Sequence, residues 1–351
     1  MFSNEARKRY QAFWDRDSFE RCILYIATRR GSSNIMDDAT IEERWTDMDR
    51  RVQLAMETYT NFDYYAEGFP SFFVNFGPGS MAPCVGGNYV FHRNTVWFDT
   101  DPLIKDWKDV PELVFDKESS MWKLMATLTE KAAKASNGLY CASVSDIGGS
   151  LDILASLRGS ETLLYDLMDH PEEVLKLHDQ IDVIWKEIYS ELYKILRKYQ
   201  KGVSTWVPLW CEKSYYTLQC DFCAMISPDM FKTFVKPYLV SQTEFLEHSI
   251  YHLDGPDAVK HLDDLLDIPR LDGIQWSPGD GKPQTEDESH FDMYNKILSA
   301  GKGLVLVGVP FNSLENILKN ISTKGLYLQM RVEDEKQAKE AIKIAQSYGV
   351  K

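Results

Sequence analysis

The chain has 351 residues, 44% hydrophobic and 13% aromatic, with a formal charge of −14. That length and apolar content supply a sizeable core and exclude a disordered chain, while the negative charge argues against nucleic-acid and anionic-membrane partners, which reward basic surfaces. No apolar run approaches membrane-spanning length, the opening MFSNEARKRYQAFWDRD is too charged for a signal peptide, and the six cysteines show no paired framework, so the expected location is the cytoplasm with reduced thiols.

Strand-like runs follow in chain order at 22–27, 62–66, 139–145, 203–210, 249–254, 271–277, 303–309 and 325–331, the second of them weak. Helical periodicity fills most of the intervals, at 40–59, 117–134, 161–199 with an interruption at His170-Pro171, 228–247, 313–320 and 333–348. Ser227-Pro228 is a cap followed by proline at the first helical position. Eight strands alternating with helices predict an α/β fold, a (β/α)8 TIM barrel, in one domain. Residues 68–115, rich in Gly, Pro and aromatics, break the alternation and read as a long insertion after the second strand, lying over the barrel mouth.

The stretch SIYHLDGPDAVKHLDDLLDIPRLDGIQW (249–276) reads as strand, helix, strand, with Asp257 as the helix N-cap. It sets His252, Asp254, Gln275 and Trp276 near the carboxyl ends of two strands, the edge where parallel α/β folds bind ligands. Trp97, Trp206, Trp210 and Tyr251 also fall near strand ends. They suit a flat apolar ligand or, for most of them, the filling of a large barrel.

Three segments resemble the uroporphyrinogen decarboxylase superfamily, especially its corrinoid- and thiol-methyltransferase branch. SDIGGSLDILASLRGSETLLYDLMDHPEEV (145–174) is similar to that family's glycine-containing strand end, following helix and Arg-Gly … Asp-Pro-Glu turn. ISPDMFKTFVKPYL (226–239) is similar to its Ser-Pro-x-x-Phe-x-x-Phe-x-x-Pro-Tyr signature, the most specific match. YHLDG (251–255) and LDGIQW (271–276) match the later strand pair. The resemblance runs from about residue 60 to the C-terminus and implies a single barrel with its cleft at the carboxyl ends of the strands.

Departures from the family pattern sort its activities. The decarboxylases carry an arginine-bearing Pro-x-Trp-x-Met-Arg-Gln-Ala-Gly-Arg run; here CILYIATRRGSSN keeps Arg29 and Arg30 without the motif, and GLVLVGVPFNS (303–313) lacks the family's late His. A porphyrinogen with eight carboxylates needs several cations, and few stand near these strand ends. The methyltransferase branch binds zinc through a His-x-Cys pair and a later Cys, activating a thiol that attacks a corrinoid-bound methyl. In this chain the pair reads His252-Leu253-Asp254, and no cysteine follows Cys223. A zinc site rebuilt from His252 with Cys211 and Cys220 is one reading; a metal-free His252 in the pocket is the other.

The expected site therefore has His252, Asp254 and Asp146 as catalytic groups, with Gln275, Trp276, Trp210, Tyr65 and Glu67 contacting substrate. Asp146 has helix capping as its alternative, and Asp254 an Asx-turn ahead of Gly255. Asp152, Arg158 and Glu161 are expected in helix-surface or capping contacts, and His261 at the surface. Three functions compete. The leading one is a methyltransferase-like enzyme acting on a small molecule, with a corrinoid as substrate or on a partner protein. The others are a decarboxylase-type lyase of porphyrin biosynthesis and a catalytically silent barrel that binds a corrinoid or its carrier protein.

Overall fold

The computed structural model describes residues 3–30, 38–98 and 101–350. Positions 31–34 of the arginine-bearing run and 99–100 of the proposed insertion lie outside them. In chain order the strands are β1 (Ile23–Arg29), β2 (Phe62–Ala66), β3 (Ser71–Phe72), β4 (Val90–Phe91), β5 (Val96–Trp97) and β6 (Cys141–Ala142). They continue with β7 (Tyr215–Leu218), β8 (His248–Asp254), β9 (Gly273–Ser277), β10 (Gly303–Pro310) and β11 (Leu326–Arg331). A seven-stranded sheet has the order β2-β1-β11-β10-β9-β8-β7, parallel throughout except where β2 meets β1. β3 pairs with β6 in parallel, and β4 with β5 antiparallel.

The reason for the parallel half is visible in its sequence. β9, β10 and β11 are short apolar runs buried along most of their length, as a sheet covered by helices on its outer face requires. The helix Glu335–Tyr348 packs its buried Ala338, Ala341 and Ala345 against the sheet beside β1 and β2, and Phe291–Ser299 packs beside β10. Ser227 caps Pro228–Phe234 by accepting from Met230 N, as its sequence predicts. The continuous helix expected over 228–247 is broken at Val235, ahead of Pro237, and that over 40–59 at Asp47, which caps its second half. Asp257 is not an N-cap: it lies inside the 3-10 turn Pro256–His261, which Gly255 opens without a side-chain bond.

The closed eight-stranded ladder expected from the alternation is not formed among the described residues; the fold is mixed α/β around an open, mostly parallel sheet. Three local causes explain the difference. β2 is a half-buried edge strand antiparallel to β1, so it is not a parallel stave. The run at 203–210 contains Pro208 and folds back on itself through an isolated Val203–Cys211 bridge, while the strand of this region is the four-residue β7. Between β1 and that bridge the chain is linked by single bonds: Glu67 N to Leu24 O at 3.0 Å, Cys141 N to Pro70 O at 3.0 Å, Ser143 N to Phe72 O at 2.8 Å and Val144 N to Ser204 O at 2.9 Å. The 68–115 segment supplies β3 and buries Phe69, Val74, Phe76 and Met81 in the core, so part of its aromatic content is core packing.

Candidate active site

Two clefts open beside the carboxyl ends of the strands. The first, about 500 Å³, is bordered by Trp206, His252, Gln275, Trp276, Gln329 and Arg331 among others. The second, about 410 Å³, is bordered by Trp97, Phe98, Gln219, Asp221, Phe222 and Met225. His252 belongs to the first and Asp221 to the second. One donor atom from each, with one from Asp254, lie within 4.8 Å of one another. The trio therefore stands in the partition between the clefts.

Local structure fixes the imidazole. β8 and β9 pair His252 with Gln275, and the Gln275 carbonyl oxygen faces His252 Nδ1 in a short hydrogen bond. Gln275 Nε2 donates to Trp276 O at 2.6 Å, which sets the amide so that its oxygen accepts and Nδ1 donates. Nε2 is then the free lone pair, and it lies 4.0 Å from Asp254 Oδ1. An imidazole locked by a neighbour on one nitrogen and open on the other is the arrangement that metal ligation or general-base work needs. Trp206 meets His252 edge to face, with ring centroids 6.3 Å apart.

Asp221 opens the 3-10 turn after β7, and a half-buried carboxylate that borders the second cleft holds that turn. Asp152 accepts from Asp221 N at 3.0 Å and from Phe222 N at 2.8 Å. Burial, and then the nearby Asp221 charge, push Asp152 up to about 8. Asp146, which is buried, accepts from Gly148 N at 2.9 Å and from Gln219 Nε2 at 3.3 Å. Burial pushes its carboxyl up to about 7, against the lowering effect of the Gly148 bond. Gln219 in turn borders the second cleft, so Asp146 reaches the site through an amide and borders neither cleft directly.

The structure thus brings together His252, Asp254, Gln275 and Trp276, and sets Asp146 one residue behind them. It separates the others. Trp210 lies at the opposite end of the sheet: its carbonyl accepts from Trp14 Nε1 at 2.9 Å, and the Trp14 ring packs on Tyr215 and His248, where β7 and β8 begin. Four residues of strand, about 13 Å, divide that end from His252. Cys211 shares it through the Val203 bridge, and burial pushes its thiol well up. Cys220 is buried beside Tyr251, whose hydroxyl donates to the Cys220 carbonyl at 3.4 Å, and its thiol too is raised by burial. Neither thiol is among the donor atoms gathered around His252. Tyr65 sits half-buried on β2 and borders neither cleft.

Glu67 is a correction of a different kind. Its carboxylate is buried and accepts from Arg9 Nη1 at 2.9 Å, from Arg21 Nη1 and Nη2 at 2.7 and 3.0 Å, and from Leu24 N at 3.0 Å. It is saturated and borders neither cleft. His261, expected at the surface, is buried against Phe231 and bonds Cys223 O at 2.9 Å. Arg158, expected in a helix-surface or capping contact, is instead in a largely buried ion pair with Asp166 at 2.6 Å. The residue that sequence reasoning missed is Asp221: it follows a strand too short to register, and recognising YYTL as β7 is the signal that would have found it.

No family model and no curated protein matches the sequence. Among solved structures, a methyltransferase from Methanosarcina mazei shares the fold at a TM-score of 0.63 and 9% identity, over 99% of each chain. At that identity the likeness speaks for architecture along the whole chain, and the chemistry has to be argued from the site.

Proposed function

We propose that the chain is a methyltransferase-like enzyme related to the uroporphyrinogen decarboxylase superfamily, acting on a small molecule with a corrinoid as methyl carrier. The observation that carries this is the His252–Asp254–Asp221 trio in the wall between two clefts, because group transfer between two partners needs one reactive centre open to both. The linking stretches at 67–72, 141–144 and 203–205 then stand for the remaining staves of a barrel.

The trio fits a divalent cation. Its donors are one imidazole nitrogen and two carboxylates, a set that zinc accepts and that leaves a position for substrate. In this reading Asp221, His252 through Nε2, and Asp254 are the ligands, and carboxylates stand where relatives use thiolates. Bound there, zinc would lower the pKa of a substrate thiol or hydroxyl. The chain's own residues do the rest. Gln275 holds the imidazole tautomer, Asp152 holds the turn that presents Asp221, and Trp206 and Trp276 wall off water on the first side. In the second cleft Trp97 and Met225 are half exposed beside Phe98, an apolar surface that suits the flat face of a corrinoid, free or on a carrier protein. A porphyrinogen decarboxylase is disfavoured because, among the described residues, a single arginine borders the first cleft and none the second.

The test is elemental analysis of protein purified without an affinity tag, with methylcobalamin then added and the visible spectrum followed. Stoichiometric zinc and a spectral change, both lost in a folded His252→Ala variant, are expected. Substoichiometric zinc would remove the metal, and an unchanged spectrum the corrinoid.

A further inference from the structure

The first cleft carries a charge pattern that the trio does not explain. Although the chain has 53 acidic residues, among the described residues no carboxylate borders this cleft, and the permanent charge in its lining is Arg331. Arg331 ends β11 with its side chain exposed, and among the described residues that side chain makes no ion pair and no hydrogen bond. A guanidinium left without an anion, in a protein with so many to offer, is available for a ligand's.

The backbone beside it is shaped to match. Pairing of β10 with β11 slips between Leu306 and Val309, and within that irregularity Gly308 takes φ +79°. The guanidinium rests against the bare Cα: a Cβ at 308 would sit 2.8 Å from Arg331 Nη2 and 3.1 Å from Nε. Glycine there permits both the left-handed backbone and the close approach. Gln329, two residues earlier on β11, faces the same side and borders the cleft with Arg331. Tyr25, Phe73, Trp206 and Trp276 add aromatic wall. β9 and β10 lie between the strands of His252 and Arg331, so about 14 Å of sheet separates the two strands.

We propose that Arg331, seated on Gly308, is the anion-binding group of this cleft, and that the substrate is a small aryl carboxylate whose acid lies at Arg331 and whose far end faces His252. This rests on the reading of the cleft as the substrate site, but its test requires neither metal nor turnover. Benzoate and benzamide are titrated into the full chain and binding is followed by tryptophan fluorescence and calorimetry. Benzoate is expected to bind about ten- to a hundred-fold more tightly than benzamide, the range of a charge-assisted pair. Arg331→Gln should erase that preference, Arg331→Lys keep part of it, and Gly308→Ala reduce it with Arg331 still present. Equal binding of the two probes, no benzoate binding at millimolar concentration, or a preference unchanged in Arg331→Gln would overturn the assignment. Loss of the preference in His252→Ala but not in Arg331→Gln would overturn it in favour of the imidazole. Because the readout is equilibrium binding, a failed methyl-transfer assay leaves this result standing.

Discussion

Two carboxylate centres in this molecule serve opposite ends. At Glu67, two guanidiniums and a backbone N–H fill the acceptor positions of one buried carboxylate, tying the N-terminal helix Asn4–Trp14 to β1 and the end of β2. In the partition trio, Asp221 and Asp254 converge on His252, among the described residues without a lysine or arginine paired to either carboxylate, and with a cleft on either side. The first centre is a completed network, which stabilises a fold; the second is incomplete, which costs stability and leaves valence for a ligand. Burial type alone does not separate them, since a sequence shows a carboxylate after a strand in both cases. Satisfaction does.

The largest effect should come from breaking the completed centre. Glu67→Ala leaves Arg21 buried beside no counter-charge and removes the acceptor of Leu24 N, so a loss of about 3–5 kcal/mol is expected in urea or thermal unfolding. A loss below 1 kcal/mol would mean that the network contributes little, and the contrast with the trio would collapse.

Enclosed groups should also govern the response to acid. His178 is buried on the helix Pro171–Arg197, with its ring stacked on Tyr238 at 3.5 Å, and burial lowers its pKa from 6.5 to about 3. A depressed folded-state value means the neutral ring's contribution is complete above pH 6.5 and fades as pH falls toward 3. Between pH 8 and pH 5 that is about 2 kcal/mol, from 1.5 units at 1.36 kcal/mol each. His178→Gln should lose this part of the acid slope, measured as the difference between the two proteins' unfolding curves.

How far such distinctions were legible in the sequence depends on chain distance. His252, Asp254, Gln275 and Trp276 lie on β8 and β9, two adjacent strands of one strand–helix–strand unit, and local pattern located them. Asp221, Arg331 and Gly308 belong to the site through strand order, which a single sequence does not print. Glu67, Trp210 and Cys211 sit next to strand-like runs in the same way, but β2 runs antiparallel and 203–210 turns back, so the carboxyl end of the apparent strand is not the carboxyl end of the sheet. The closed ladder is not formed among the described residues for the same reason: alternation counts apolar runs, and hydrogen-bond ladders depend on proline, edge position and register.

Asp146 lies between the two classes, buried like Glu67 but joined to the second cleft through Gln219. Burial raises its pKa from 3.8 to about 7, so the folded state binds its proton more tightly, and stability from this group falls as pH rises from 3.8 through 7. That slope is opposite to that of His178. Asp146→Asn, which mimics the protonated acid, should lose it and gain on the wild type at pH 8 relative to pH 5. An unaltered difference between those two pH values would show that Asp146 is already ionised in the fold and belongs with the open trio.

The smallest stability effect is expected at the trio itself, and it is the sharpest test of the contrast. Asp221→Asn and Asp254→Asn each remove one of two like charges crowded at the imidazole, with no lysine or arginine left stranded, so unfolding free energy should move by no more than about 0.5 kcal/mol or rise slightly. The zinc binding proposed for the trio, followed by competition with a chelating dye, should meanwhile weaken by one to two orders of magnitude in each, because a three-donor site that loses a carboxylate keeps too little to hold the ion. The two measurements must diverge. If either variant unfolded as Glu67→Ala is expected to, that aspartate would be a structural support, and the partition between the clefts would lose its claim to hold a reactive centre.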